Sequence, residues 1–275
     1  MGISTQKFNS ELKKLSRLTY DKEFHCETLS SKTVGEKLEE ILGIKPNNSK
    51  DADTAIAEIK SSRWGSSTPV TLLTMTPDWF APEFPAGMSD LVKRFHNYNP
   101  GTGRKNLYRN TRPAKKAPTK RPKFELRYEV TKSRNGNHKI ALNQLMTKGD
   151  KRLIASWSLR DVLDQIESKL KRVLFVKWSS KKNPLGKGYL IRFEEAYAIE
   201  LISREAIFES LNKGVMSIEI RAHLKEEGDA IWRLRDHGTA FRVNKTDMPA
   251  HFKEVGHMLL QSSDPKSSKV TRSKK

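Results

Sequence analysis

The chain of 275 residues contains a single cysteine, Cys26, so it can form neither an intramolecular disulfide nor a zinc site built from several thiolates. It has no apolar run of the length a membrane helix needs and no basic amphipathic stretch with a clean apolar face, which argues against membrane association. The N-terminus shows no signal-peptide core, and Gln6 stands where a myristoylation signal requires Ser or Thr. These absences lead to the expectation of a reducing cytoplasm. Acidic residues are also few against basic ones, 32 to 52, which leaves a formal net charge of +20. A polyanion is the expected partner, and with membranes disfavoured that partner is nucleic acid.

What is present can build a core: 36% of the residues are hydrophobic, and the length suits one large domain or one domain split into two lobes. Phe8, Leu12, Leu15 and Leu18 recur at helical spacing within 7–20. A second helix is predicted from Thr33, with Glu36 at capping-box spacing and an apolar stripe of Val34, Leu38, Ile41 and Leu42, to a stop at Gly43. Turn residues at 46–49 follow, then a short strand over Ile56–Lys60, a polar loop over 61–67 and a strand over Val70–Met75. This order describes a compact α/β unit.

Residues 99–123 carry nine lysines or arginines and no acid, together with glycines and prolines, and read as a basic surface segment joining two lobes. Strands are predicted over 124–131, Val173–Trp178, Tyr189–Phe193 and Val215–Ala222, and a helix over Trp157–Leu170, while 194–207 stays ambiguous. The division is then a catalytic lobe over 1–98, with its core motif at 33–77, the connector 99–123, and a recognition lobe over 124–260 that can return strands to the first. A flexible basic tail follows at 261–275.

Asp53, Glu58 and Lys60 form D-x4-E-x-K. Two carboxylates at this spacing can share a hard cation while an ammonium stands beside an attacking water, the parts that phosphodiester hydrolysis needs. On a strand, Glu58 and Lys60 project to one face while Ile59 turns to the core; Asp53 has the opposite parity, so a bend must precede Glu58. The triplet is short enough to recur in unrelated chains. Glu39 adds weight: at 100° per residue it sits at the edge of the apolar stripe, whereas Glu36 and Glu40 point away from it.

The run Val34-Gly35-Glu36-Lys37-Leu38-Glu39, Leu42-Gly43-Ile44, Asp53-x4-Glu58-Ile59-Lys60-Ser61, Thr71-Leu72-Leu73 and Pro77 resembles the catalytic block shared by the MvaI/BcnI type II restriction endonucleases and the mismatch-repair nicking enzyme MutH, within the PD-(D/E)XK nucleases. A second stretch, Arg235-Asp236-His237-Gly238-Thr239-Ala240-Phe241-Arg242-Val243, is similar to a segment near the C-terminus of the MvaI/BcnI enzymes and favours that branch. The resemblance implies an α/β fold, a mixed sheet flanked by helices in two lobes around a DNA cleft. It implies Mg²⁺ bound by Asp53 and Glu58, Lys60 orienting or activating the water, and Glu39 supporting the site from its helix. Asp51 is a possible substitute for Asp53, although the family spacing selects Asp53. The implied enzyme is a bacterial or archaeal type II restriction endonuclease that acts as a monomer on duplex DNA at a short CCNGG-like site, with a companion methyltransferase protecting the same site.

Phosphate neighbours are expected among Lys32, Arg63, Arg104, Lys105, Arg109, Lys115 and Lys116. Base reading suits Arg235, Asp236, His237 and Arg242, because arginine can pair with guanine, aspartate can accept from cytosine N4, and a neutral histidine can do either; a salt-bridged hairpin is the competing reading of these four. The remaining histidines lack metal-ligand spacing and are read as surface or core residues. Two rivals stand beside the restriction enzyme: a MutH-like enzyme that nicks one strand, and a nucleic-acid-binding protein without catalysis.

Overall fold

The computed structural model describes residues 3–44, 57–111, 113, 125–132, 137–146, 150–227 and 231–262. Asp51 and Asp53, Lys115 and Lys116, and the tail beyond 262 lie outside the described residues. In chain order the elements are α1 (Ile3–Thr19), β1 (Glu23–Cys26), α2 (Ser31–Leu42), β2 (Glu58–Arg63), β3 (Val70–Thr74), β4 (Trp79–Phe80), α3 (Met88–Phe95), β5 (Asn97–Asn99), β6 (Arg104–Thr111), β7 (Glu125–Lys132), β8 (His138–Leu145), β9 (Lys151–Ser158), α4 (Leu159–Leu170), β10 (Arg172–Lys182), β11 (Tyr189–Leu201), α5 (Arg204–Lys213), β12 (Met216–Glu226), β13 (Trp232–Asp236), β14 (Ala240–Val243), a 3₁₀ turn (Lys245–Ala250) and β15 (Phe252–Leu259).

Two compact units result. The first gathers 1–66, 169–201 and 252–275, and the second 67–168 and 202–251. The chain therefore passes between units four times, where the sequence suggested contiguous lobes with returning strands. Residues 67–98 belong to the second unit because β3 pairs with β14 there, and the return of β10, β11 and β15 to the first unit follows from their pairing with β2 and with one another.

The first unit is built on a mixed sheet in the order β1-β11-β10-β2. β10 runs antiparallel to β11 and parallel to β2, with Val173 beside Glu58 and Phe175 beside Lys60. The 13-residue β11 shares its other edge between β1, at 189–192, and β15, at 195–201. One face of this sheet is apolar, because alternate residues Ile59, Leu174, Val176, Phe193 and Ala198 point the same way and meet Phe8, Leu12 and Leu15 of α1 and Val34, Leu38 and Leu42 of α2. Each buried leucine contributes roughly 1.5–3 kcal/mol relative to exposure.

The second helix starts two residues earlier than the capping box suggested. The hydroxyl of Ser30 accepts the Thr33 N–H at 3.0 Å, so Ser30 is the N-cap and Thr33 is already helical. Its end is as expected: Gly43 has φ 74°, a left-handed conformation that costs glycine nothing. β2 continues through Arg63, past the expected loop start at Ser61, because parallel pairing with β10 extends to Trp178 and satisfies those backbone groups.

The second unit holds two sheets. One is ordered β3-β14-β12-β6-β5 with β13 also on β12; the other is β4-β9-β8-β7. The first half of the basic segment expected to be a surface connector instead supplies β6, an interior strand between β12 and β5, while 112 and 114–123 lie outside the described residues. Leu107 and Thr111 are fully buried at alternating positions, and that inward row outweighs the charges around it. The helix predicted from Trp157 begins at Leu159, because Trp157 and Ser158 complete β9; Trp157 is fully buried, meets Phe241 edge to face and donates its indole N–H to the Met75 carbonyl at 3.0 Å. Fully buried Tyr128 donates its hydroxyl toward the carbonyls of Leu211 and Met216, tying β7 to the junction of α5 and β12.

Candidate functional site

The first site grows from β2. Strand parity sends Ile59 into the core of the first unit and turns Glu58 and Lys60 to the opposite face. Glu58 is 2% exposed, a burial that a carboxylate tolerates only with partners of opposite charge. Lys60 Nζ donates to Glu58 Oε1 at 2.6 Å, and Lys169 Nζ stands 3.5 Å from the same oxygen. Lys169 belongs to the last turn of α4, far from the motif in sequence, and the linear reading missed it because nothing local marks it among the other lysines. The carboxylate thus lies between two lysine side chains.

Glu39 lies on α2, which packs over the apolar face of β2; a Cβ at Gly35 would come within 3.9 Å of Ser61 Oγ. Glu39 is half-buried, whereas Glu36 and Glu40 are exposed and pair with Lys32 and Lys37 along the helix surface at 3.5 and 3.0 Å. Arg63, at the far end of β2, is exposed with its guanidinium over the Trp178 ring at 6.0 Å. Among the described residues no three side chains of His, Cys, Asp or Glu converge as a metal site. Glu58 offers a hard carboxylate oxygen, the donor chemistry Mg²⁺ prefers, and Asp53, the expected second ligand, lies outside the described residues.

A second candidate surface lies on the six-stranded sheet of the second unit. Ile218, Ile220, Ala222 and Leu224 of β12 face inward, and the intervening residues form a polar face. Register places Arg104, Asn106 and Tyr108 of β6 beside Lys225, His223 and Arg221 of β12, with Arg233 and Arg235 of β13 on the other side. Lys105 and Arg109 have the opposite parity and point to the other face, where Lys105 Nζ sits 3.8 Å above the Trp232 ring and Arg109 donates to Asn97 Oδ1 at 3.3 Å.

The segment 235–242 is a strand end, a turn and a strand. Asp236 Oδ1 accepts the Gly238 N–H at 2.7 Å and so shapes the turn. Gly238 has φ 72°, and a Cβ there would collide with Thr74, so only glycine fits. The Arg221 guanidinium donates to the carbonyls of Gly238 and His237 at 3.3 and 3.2 Å and to Thr74 Oγ1 at 3.1 Å, fixing the turn from beneath. Arg242 is committed internally: it donates to Glu219 Oε2 at 2.5 Å and to the Pro69 carbonyl at 2.8 Å. Arg235 and His237 remain exposed on this face.

Around His237 the structure assembles residues that the sequence reading set aside. His237 Nε2 lies 3.4 Å from His223 Nδ1, and the Tyr108 hydroxyl lies 3.3 Å from the same nitrogen. Tyr108 and His237 stack with centroids 6.3 Å apart. His223 is 5% exposed, and this burial, reinforced by the positive charges of Arg104, Arg235 and Lys225 and by His237, pushes its pKa below the ordinary histidine value of 6.5. A neutral imidazole can both donate and accept. No sequence signal marked Tyr108 or His223, since their proximity comes from strand register alone.

The sequence profile of the MvaI/BcnI restriction endonuclease family matches residues 10–252. The structure of restriction endonuclease MvaI with its cognate DNA substrate is similar, with a TM-score of 0.73, 16% identity, and coverage of 94% of this chain and 99% of that one. MvaI in the absence of DNA gives a TM-score of 0.53 at 15% identity, covering 94% and 98%. No curated protein matches the chain. At these identities the structural likeness speaks to the fold, the mixed α/β architecture expected from the sequence, while the profile match over most of the chain speaks to the family.

Proposed function

The chain belongs to the MvaI/BcnI restriction endonuclease family and is on that ground a site-specific DNA endonuclease; we propose that it hydrolyses duplex DNA at a short CCNGG-like site with Mg²⁺, using Glu58, Asp53 and Lys60. The observation that carries this reading is the Glu58–Lys60 pair: one buried carboxylate and one ammonium on the same face of a strand whose other face is sealed by α1 and α2. Asp53 and Glu58 would hold the cation, with Glu39 supporting the site from α2. Bound there, Mg²⁺ supplies charge neutralisation at the phosphate and lowers the pKa of water.

The remaining work falls to this chain's own groups. Lys60 places an ammonium next to the Glu58 carboxylate, where it orients the attacking water and offsets charge developing on the phosphate. Lys169 holds the same carboxylate from the other side, so Glu58 keeps a single position. In the second unit, Arg235 and His237, backed by His223, Tyr108 and Arg221, read base edges, and Arg104 and the +20 net charge hold the phosphates. Lys105 and Arg109 share the inward face of their sheet with Leu107, Ile220 and Leu224, which leaves Arg63 of the first unit as a further phosphate neighbour. Asp236 and Arg242 shape the reader rather than touch bases, one by closing the turn and the other by bracing Glu219. The protein acts as a monomer in the cytoplasm, and a companion methyltransferase guards the same site on host DNA.

Purified protein incubated with plasmid and Mg²⁺ tests this reading. Discrete linear fragments whose mapped ends share one short sequence are expected, and they are lost with EDTA and in the Lys60→Ala and Glu58→Ala variants. Nicked circles alone would favour a strand-nicking enzyme. Absence of cleavage under all conditions would leave only a binding protein.

A further inference from the structure

The face of the first unit's sheet that carries Glu58 and Lys60 holds a second group of polar side chains, to which the reaction above gives no part. Lys177 on β10 lies in register with Ser62 of β2, two residues past Lys60 and therefore on the same face. Its neighbour across the next strand is Glu195 of β11, and Tyr197 of β11 pairs in turn with His257 of β15. The rings of Tyr197 and His257 stack at 4.6 Å with an interplanar angle of 11°. Lys177 Nζ sits 4.6 Å above the Tyr197 ring and 5.0 Å from the ring of Trp64. His257, Tyr197, Lys177 and Trp64 thus form a column running across the strands, with Trp64, 49% exposed, at its outer end.

Lys177 donates to Glu195 Oε2 at 3.3 Å and to the Tyr197 hydroxyl at 3.0 Å. These are its two hydrogen-bond acceptors among the described residues, and an ammonium has three donors, so a third can meet a phosphate. Burial alone would favour loss of its proton, but the bonds to Tyr197 and Glu195 outweigh it and raise the pKa, so the charge persists across the physiological range. Two aromatic faces fix the ammonium in place, which removes most of the side-chain entropy that a flexible surface lysine would lose on binding an anion. Its strand position is displaced from that of Lys60 by two residues, about 7 Å along the strand direction, a step of the kind that separates neighbouring backbone phosphates.

We propose that Lys177 is a positioning residue that binds a DNA backbone phosphate next to the scissile one, held for this task by Tyr197, Trp64 and Glu195. The inference rests on the endonuclease reading, since it takes the Glu58–Lys60 face as the face that meets DNA. A lysine in a purely structural ion pair would stabilise the sheet without altering how binding depends on salt.

The test is the slope of log affinity against log salt, measured in EDTA with a short mixed-sequence duplex. One lost phosphate contact lowers the slope by about 0.9, which between 50 and 200 mM salt is roughly a three- to fourfold smaller loss of affinity. Lys177→Met keeps the aliphatic stem between the rings and is expected to show this reduced slope; Lys177→Arg restores it, and Glu195→Gln leaves it at least as steep as in the wild type. A wild-type slope in Lys177→Met overturns the proposal while leaving the endonuclease reading intact. A wild-type protein that neither binds nor cuts duplex overturns that reading, and the proposal with it.

Discussion

Lys169 Nζ stands 3.5 Å from Glu58 Oε1, the oxygen that also receives Lys60 at 2.6 Å, so one buried carboxylate is shared by an ammonium from its own strand and another from a helix end remote in sequence. Substituting Lys169 by Met is expected to lower kcat about tenfold, by loosening Glu58 rather than removing a reacting group. Single-turnover cleavage at saturating enzyme reads this directly; an unchanged rate would make Lys169 a bystander.

Lys60→Ala and Glu58→Ala are each expected to lower the cleavage rate by at least about 10²-fold, the first because it removes the ammonium that offsets charge developing on the phosphate and the second because it removes a carboxylate that would hold the cation. Asp53→Ala should do the same, while Asp51→Ala retains activity. DNA affinity measured in EDTA should survive in all four, which separates loss of chemistry from loss of the fold.

Arg242→Lys is expected to cost about 2 kcal/mol of stability without altering which sequence is cut. Arg242 forks between Glu219 and the Pro69 carbonyl, and lysine cannot make both bonds in that geometry. Urea unfolding gives the first quantity and fragment-end mapping the second. A changed target would return Arg242 to the role of base reader.

His223 gives a pH signature. Its pKa in the folded chain lies below the ordinary value of 6.5, so between the two values the unfolded chain binds more protons. Stability from this residue is therefore complete above about pH 6.5 and is lost as the pH falls through the folded value. Wild-type unfolding free energy should drop more steeply between neutral and mildly acidic pH than that of His223→Asn. Parallel curves would show that His223 does not titrate differently on folding.

Arg235→Ala and His237→Ala should weaken discrimination at one position of the target by about 1–3 kcal/mol each, whereas Arg104→Ala should weaken binding to every sequence alike. Competition between duplexes that differ at single positions tells the two behaviours apart.

Much of α2 and β2 was legible in the sequence because their signals are local. The apolar stripe of α2, the stop at Gly43 and the alternation of Glu58, Ile59 and Lys60 each depend on a few adjacent residues, and the structure has Ile59 in the core and Glu58 beside Lys60 as that alternation requires. The edge position of Glu39 followed from helix geometry in the same way. The basic segment misled for the opposite reason. Its composition describes a solvated connector, yet over 104–111 β12 and β5 pair with it and bury Leu107, and pairing partners distant in sequence leave no mark on composition.

The sequence by itself determined the large positive net charge, the helix that precedes β2, and which side chains of that strand share a face, since net charge and periodicity are properties of the chain alone. Only the tertiary structure decided that Lys169 joins Glu58, that His223 and Tyr108 meet His237, and that Arg242 is occupied by Glu219. Each of these depends on strand register or on where a helix ends in space. Register is set by the burial of whole strands rather than by the residues that meet, which is why the motif was visible beforehand and its surroundings were not.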